Sequence, residues 1–186
     1  MKENALGESK RLARSKMKSA LGAVSAEVRA QWSSRIASEV QKLPQWQSSP
    51  AILAFLSMPT EVDTTALLEA AFSEGKTVGV PRMNGSEINF HEITSLEGPF
   101  EPHPYGLREP VATLPVLDPR RIDSRNVFVV TPGLCFDGGG ARLGFGRGYY
   151  DRLITLCRDL PEKNFYFAGV CFHIQLIDCV PTGDHD

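Results

Sequence analysis

Ala51-Ile52-Leu53-Ala54-Phe55-Leu56 is an apolar run with no polar residue inside it. A strand with one wet face alternates apolar and polar side chains. An unbroken short run is the pattern of a strand covered on both faces, and such strands belong to parallel sheets flanked by helices. The next residues fit that requirement. Asp63 stands where it can cap a helix carrying Leu67, Leu68, Ala71 and Phe72, and Gly75-Lys76 closes it. Thr77-Val78-Gly79-Val80-Pro81 then reads as a second strand. Strand, helix and strand within about 30 residues form a βαβ unit, so the chain is expected to be an α/β protein.

The flanking segments extend this reading. Residues 3–21 are rich in Lys, Arg, Ala and Leu and read as a helix that Gly22 stops. Ser25 is a candidate N-cap for a second helix whose stripe is Val28, Trp32, Ile36, Val40 and Leu43, ended by Pro44. Glu87–Ile93 alternates like a half-exposed strand, and Val127–Thr131 and Phe165–Phe172 read as buried strands with a helix at 149–157 between them. Six prolines between Pro99 and Pro119 argue against regular structure there, and a long ordered loop of this kind is often functional. There is no internal repeat or low-complexity linker. The expectation is one domain over 1–186: helices in 1–45, then an α/β core over 51–180. The core is a mostly parallel sheet flanked by helices in a Rossmann-like three-layer arrangement. A length of 186 residues suits one domain.

Several function classes are disfavoured. The net charge of −2 argues against a general nucleic-acid or membrane binder. Residues 2–18 carry six basic and two acidic side chains, so the remainder, at −6, would repel nucleic acid outside one small patch. No apolar run reaches the ~18–20 residues of a membrane span, and the first residues do not read as a signal peptide. Cys135, Cys157, Cys171 and Cys179 contain no CxxC spacing and read as buried free thiols in a reducing cytoplasm. His91, His103, His173 and His185 form no catalytic or metal motif.

Six of the 16 glycines lie between Gly138 and Gly148. The stretch Arg142-Leu143-Gly144-Phe145-Gly146-Arg147-Gly148-Tyr149-Tyr150-Asp151 leaves a strand and enters a helix. Ligands bind open α/β sheets beyond the carboxyl ends of their strands. Glycines let backbone N–H groups turn toward phosphate oxygens, the helix N-terminus favours anions, and Arg142 and Arg147 can add charge-assisted bonds. The loop is neither a Walker A loop nor a GxGxxG dinucleotide loop. An anion-binding loop and a merely flexible turn are the two readings. Asp151 is either a helix cap or, beside polyphosphate, a ligand for Mg²⁺.

These residues closely resemble the signature of the 5-formyltetrahydrofolate cyclo-ligase family. The resemblance extends along the chain: Lys10 and Arg14 at i, i+4; Phe55-Leu56-Ser57-Met58-x-x-Glu61; Tyr105-Gly106 with Glu109-Pro110; Pro132-Gly133-Leu134-x-Phe136-Asp137; and the final His185-Asp186. It implies an ATP- and Mg²⁺-dependent conversion of 5-formyltetrahydrofolate to 5,10-methenyltetrahydrofolate, with release of ADP and phosphate. A formamide carbonyl is a poor electrophile. Phosphoryl transfer to its oxygen makes an imidate phosphate, which the folate N10 attacks as phosphate leaves.

The resemblance also distributes roles. Lys10, Arg14, Arg142, Leu143, Gly144, Phe145, Gly146, Arg147, Gly148, Tyr149 and Tyr150 would surround ATP. Arg142, Arg147 and Tyr149 would bear on the reaction itself. Leu56, Met58, Glu61, Tyr105, Tyr149 and Tyr150 would hold the folate, although Leu56 and Met58 read equally well as ordinary core. Asp151 and Asp186 would hold Mg²⁺. The implied partners are reduced folate and ATP, with no nucleic acid, no membrane, a monomeric state and a cytoplasmic location. The family continues past this point with a terminal strand, so the chain is expected to be short at its carboxyl end. A sugar-phosphate isomerase or transferase and a non-catalytic nucleotide- or RNA-binding module are the alternatives. Both leave the Lys10/Arg14 pair or Glu61 without a purpose.

Overall fold

A computed structural model describes the backbone of residues 2–85, 87–103 and 106–183. Helix α1 (Lys2–Gly22) ends at the expected glycine. Ser25 caps α2 (Ala26–Gln41) by accepting the Val28 N–H at 3.3 Å. Pro44 does more than stop α2. It sits at the first position of a one-turn helix, α3 (Pro44–Gln47), whose cap is Leu43. A proline suits that position because its missing N–H would be unpaired there anyway. Leu43 is therefore exposed rather than part of the buried stripe, and the residues of α2 that are fully buried are Ser33, Ala37 and Val40.

The βαβ unit is present as β1 (Ala51–Leu53), α4 (Thr65–Ser73) and β2 (Thr77–Asn84). The N-cap of α4 is Thr64 rather than the expected Asp63, which stands one residue earlier and accepts the Thr65 N–H through Oδ1 at 2.9 Å. β2 continues past Pro81 because it is paired along its length with β3 (Glu87–Ile93) in antiparallel register. Short strands β4 (Phe100–Pro102) and β5 (Arg108–Pro110) pair inside the proline-rich segment, contrary to the expectation of no regular structure. The prolines sit at strand ends, where no ladder N–H is lost. The buried Glu109 fastens β5 to β2 by accepting the Met83 N–H at 2.9 Å.

The second half contributes β6 (Asn126–Thr131), a small hairpin of β7 (Cys135–Phe136) and β8 (Arg142–Leu143), then α5 (Tyr149–Arg158) and β9 (Asn164–Gly169). The central sheet runs β3-β2-β1-β6-β9 and is parallel except for β3. β9 lies at the edge of the sheet and is half-buried. That is why 165–172 is not the fully buried strand its composition implies.

Alternate residues of the strands enter separate cores. Ile52, Val78, Val80, Phe128 and Val130 pack with Met17 and Leu21 of α1, Ala37 and Val40 of α2, and Leu67, Leu68 and Ala71 of α4. Leu53, Val127, Val129 and Phe90 pack with Leu153 and Cys157 of α5 and with Ile122. Helices α1, α2 and α4 thus cover one face and α5 the other, giving the three-layer α/β arrangement. Cys135 and Cys157 are buried, but Cys171 is half-buried and Cys179 exposed, and all four thiols are free. No helix among the described residues is long and apolar enough to cross a membrane.

Candidate active site

β1 and β6 are neighbours, but β1 connects to β2 on one side and β6 to β9 on the other. A crevice opens at such a reversal, beyond the carboxyl ends of the strands. Two segments enter it: 54–61 after β1 and 132–148 after β6.

The first segment explains why β1 is three residues long. After the Ala54 N–H bonds Gly79 O at 3.0 Å, the chain leaves the sheet. It turns at Met58, where Glu61 closes the loop twice. The Glu61 N–H donates to Met58 O at 3.0 Å, and Glu61 Oε2 accepts the Met58 N–H at 2.8 Å. Burial pushes the Glu61 carboxyl from its ordinary 4.5 up to about 7, with the Met58 N–H acting in the opposite direction. Leu56 is half-buried and packs against the core, and Met58 is half-buried on the loop.

The second segment is built around Asp137 and Phe136. Asp137 Oδ1 accepts the Gly139 and Ala141 N–H groups at 2.9 and 3.1 Å, and Oδ2 accepts the Val180 N–H at 2.9 Å. These donors, Val180 first, hold the carboxyl below its usual range. The Phe136 ring lies against Gly133 and Gly169. A Cβ at those positions would come within 2.6 and 2.5 Å of it. Leu143 is fully buried, so its side chain belongs to the core and only its backbone reaches the loop.

α1 meets this loop directly. Arg14 Nε donates to Gly144 O at 2.9 Å, and a Cβ on Gly146 (φ +103°) would lie 3.5 Å from the Arg14 guanidinium. Lys10 lies half-buried one turn earlier, on the same helix face. One turn later, Lys18 Nζ lies 5.9 Å from the centre of the exposed Phe145 ring. Lys18 was not singled out from the sequence, although the four-residue step from Lys10 through Arg14 leads to it.

Gly148, at φ +68°, caps α5 without a side chain, and Tyr149, Tyr150 and Asp151 fill the first turn. Arg142 Nη2 lies 2.5 Å from Asp151 Oδ1, and its guanidinium stands 5.6 Å from the Tyr150 ring centre. Arg142 Nε and the Tyr150 hydroxyl are buried with no hydrogen-bond partner. The Tyr150 phenol is driven well above its ordinary range, first by burial and then by the Glu61 charge, against the pull of Arg142. Glu61 and Arg142 therefore both act on Tyr150 across the crevice, although 81 positions separate them in the chain.

Other expected residues are placed differently. The Tyr149 hydroxyl is committed to Gly85 O at 3.1 Å, in the turn between β2 and β3. Arg152, which the sequence did not single out, stands 5.4 Å from the Tyr149 ring centre and donates to Arg147 O at 2.9 Å. The Arg147 side chain is exposed. Tyr105 and Asp186 lie outside the described residues. Among the described residues, no three His, Cys, Asp or Glu side chains gather as a metal site. A cleft of about 580 Å³ lined by residues 122–125 and 161–163 opens at the amino ends of β6 and β9, away from the groups just described.

The fold recurs in known proteins. An NMR structure of 5,10-methenyltetrahydrofolate synthetase from Aquifex aeolicus superposes with a TM-score of 0.76 at 28% identity, over 94% of this chain and 83% of that one. The 5-formyltetrahydrofolate cyclo-ligase of Mus musculus is 30% identical over 97% of this chain and 91% of its own length. The enzyme of the same name from Escherichia coli K12 is 26% identical over 88% of each. The family model for 5-formyltetrahydrofolate cyclo-ligases matches residues 6–186, and the chain belongs to that family.

Proposed function

We propose that this chain is an ATP-dependent ligase that cyclises 5-formyltetrahydrofolate to 5,10-methenyltetrahydrofolate, releasing ADP and phosphate. The observation that carries the site assignment is the pair of unpartnered buried groups, Arg142 Nε and the Tyr150 hydroxyl, beside a loop already tied to α1 by Arg14. An unmet buried donor costs roughly 1–3 kcal/mol, so both groups are arranged for an acceptor that a ligand brings.

ATP lies along the glycine loop. Lys10, Arg14 and Arg142 take its phosphates, and the backbone from Leu143 through Gly148 lines the tract. Arg147, at the wet rim, screens the same charge, and Phe145 offers an exposed ring for the nucleotide. The folate lies on the β1 side. Glu61 accepts its paired N–H donors, Leu56 and Met58 form apolar walls, and Tyr149, Tyr150 and Tyr105 enclose it. Arg142, central to both halves, holds the phosphoryl group against the formyl oxygen as charge develops. Arg147 and Tyr149 keep the reacting ends aligned. Asp151, 65% exposed beside Arg142, is a hard oxygen donor next to the phosphate tract, which suits Mg²⁺, with Asp186 as the second expected ligand. Bound there, Mg²⁺ would neutralise and orient the terminal phosphates.

The chain works as a single domain over 1–186, as a monomer in the cytoplasm, without nucleic-acid or membrane partners. The sugar-phosphate and RNA-binding readings leave Glu61 unused and are not favoured. The test is to mix the protein with Mg-ATP and 5-formyltetrahydrofolate and follow methenyl absorbance together with ADP. Product and ADP in equal amounts support the reading, and no product from folded protein overturns it.

A further inference from the structure

The two partners of the Arg142–Asp151 pair are very unequal. The Arg142 side chain is 12% exposed and that of Asp151 65%. The guanidinium is confined between the Tyr150 ring and Gly144, where a Cβ would lie 3.2 Å from Arg142 Nη1. The carboxylate stands on the wet side, in the first turn of α5, where a side-chain rotation carries it off the arginine without disturbing the core.

Arg142 has two kinds of donor here. Nη2 already holds an anion, Asp151 Oδ1 at 2.5 Å, while Nε holds nothing. A phosphate oxygen arriving at Arg142 therefore meets a cation whose charge is largely answered, and a carboxylate of its own sign at close range. Neither effect favours bare polyphosphate. A divalent cation reverses both. Carboxylate and phosphate oxygens are its preferred ligands, so with the ion bound Asp151 would turn to it and leave the Arg142 guanidinium free for the phosphate.

We propose that Asp151 is a built-in competitor for the nucleotide at Arg142, so that metal binding and nucleotide binding are coupled through exchange of the Arg142–Asp151 pair. In the empty protein Asp151 stands in for a phosphate oxygen. When a metal–nucleotide complex binds, Asp151 passes to the metal and Arg142 to the phosphate, and no charge is left unanswered at either place. This inference rests on the reading of the glycine loop as an ATP site.

Isothermal titration of ATP into the protein, once in EDTA and once in Mg²⁺, tests it. Asp151→Asn and Asp151→Ala both remove the competing charge, and an exposed position tolerates both. In EDTA each variant is expected to bind ATP about threefold to tenfold more tightly than the parent protein, the scale of one part-exposed charge pair. Mg²⁺ should then tighten the parent more than either variant. In an Arg142→Ala background the gain from Asp151→Asn should vanish, because no cation remains to be released. If the parent binds Mg-ATP but neither variant gains affinity in EDTA, the exchange is overturned and the nucleotide site stands. A gain that persists with Arg142→Ala also overturns the exchange, by reducing it to a general charge effect. A parent that fails to bind ATP even with Mg²⁺ overturns both readings.

Discussion

Glu61 carries one buried negative charge, and one Met58 N–H only partly compensates it. Its folded-state value, about 7, lies above the ordinary 4.5. The folded protein therefore binds the proton more tightly than the unfolded chain, and the carboxyl lowers stability progressively as pH rises from about 4.5 to about 7, then by a constant amount. Glu61→Gln keeps the acceptor for Met58 and removes the charge. The variant should be more stable than the parent by about 1–3 kcal/mol at pH 8, with no gain at pH 4, in denaturant titrations at the two pH values. It should also lose folate affinity while ATP affinity stays nearly unchanged. Arg142→Ala should do the reverse. Its partner Asp151 remains in water, so the fold is spared, and ATP binding in Mg²⁺ should weaken roughly 10- to 100-fold by calorimetry. The residue types at both positions were legible in the sequence. Their shared influence on Tyr150 was not, since it depends on which loops meet.

At the scale of elements, the β7–β8 hairpin shows how packing assigns work that local pattern leaves undecided. Pro132-Gly133 and Gly169 look like ordinary loop and strand-end residues. Their glycines are required because the Phe136 ring occupies the space of both missing side chains. Gly169→Ala should lower stability by about 1–3 kcal/mol in denaturant titrations, and Phe136→Leu in the same chain should recover part of that loss by vacating the contact. Asp137, at the turn of this hairpin, reaches the Val180 N–H and so pins the C-terminal segment to the site. β1 stops early for a related reason. Phe55 and Leu56 satisfy the pattern of a buried strand, but the chain must leave the sheet to bring Met58 and Glu61 into the crevice. Prolines forbid interior ladder bonds, so by its sequence the proline-rich segment reads as irregular. It contains β4 and β5 because a short hairpin puts those prolines at its ends.

At the scale of the molecule, the site collects α1, the loop after β1, the loop after β6 and the start of α5, each anchored in one of the two cores. A ligand touching all of them binds only the folded chain. Saturating Mg-ATP at about 100 times its dissociation constant should add roughly 2.7 kcal/mol. For a chain of this size that is a rise in Tm of about 5–10 °C in a thermal melt. Arg14→Ala should shrink the shift at fixed ATP, since the bond from Arg14 Nε to Gly144 O ties α1 to the loop. A full shift in that variant would show that α1 lies outside the nucleotide site.

The longer helices and the parallel strands of the central sheet were determined by the sequence alone, whereas α3 and the β4–β5 and β7–β8 hairpins were not. An unbroken apolar run, the spacing of a helix stripe, and glycines before a helix act over a few residues, and short-range sterics and burial decide them. The tertiary structure alone decided which side chains share the crevice. Arg14 and Gly144 are 130 positions apart, and their bond exists because α1 packs on the sheet beside β7 and the loop that follows β8. That outcome depends on the order of strands and the faces their helices cover, which no local window contains.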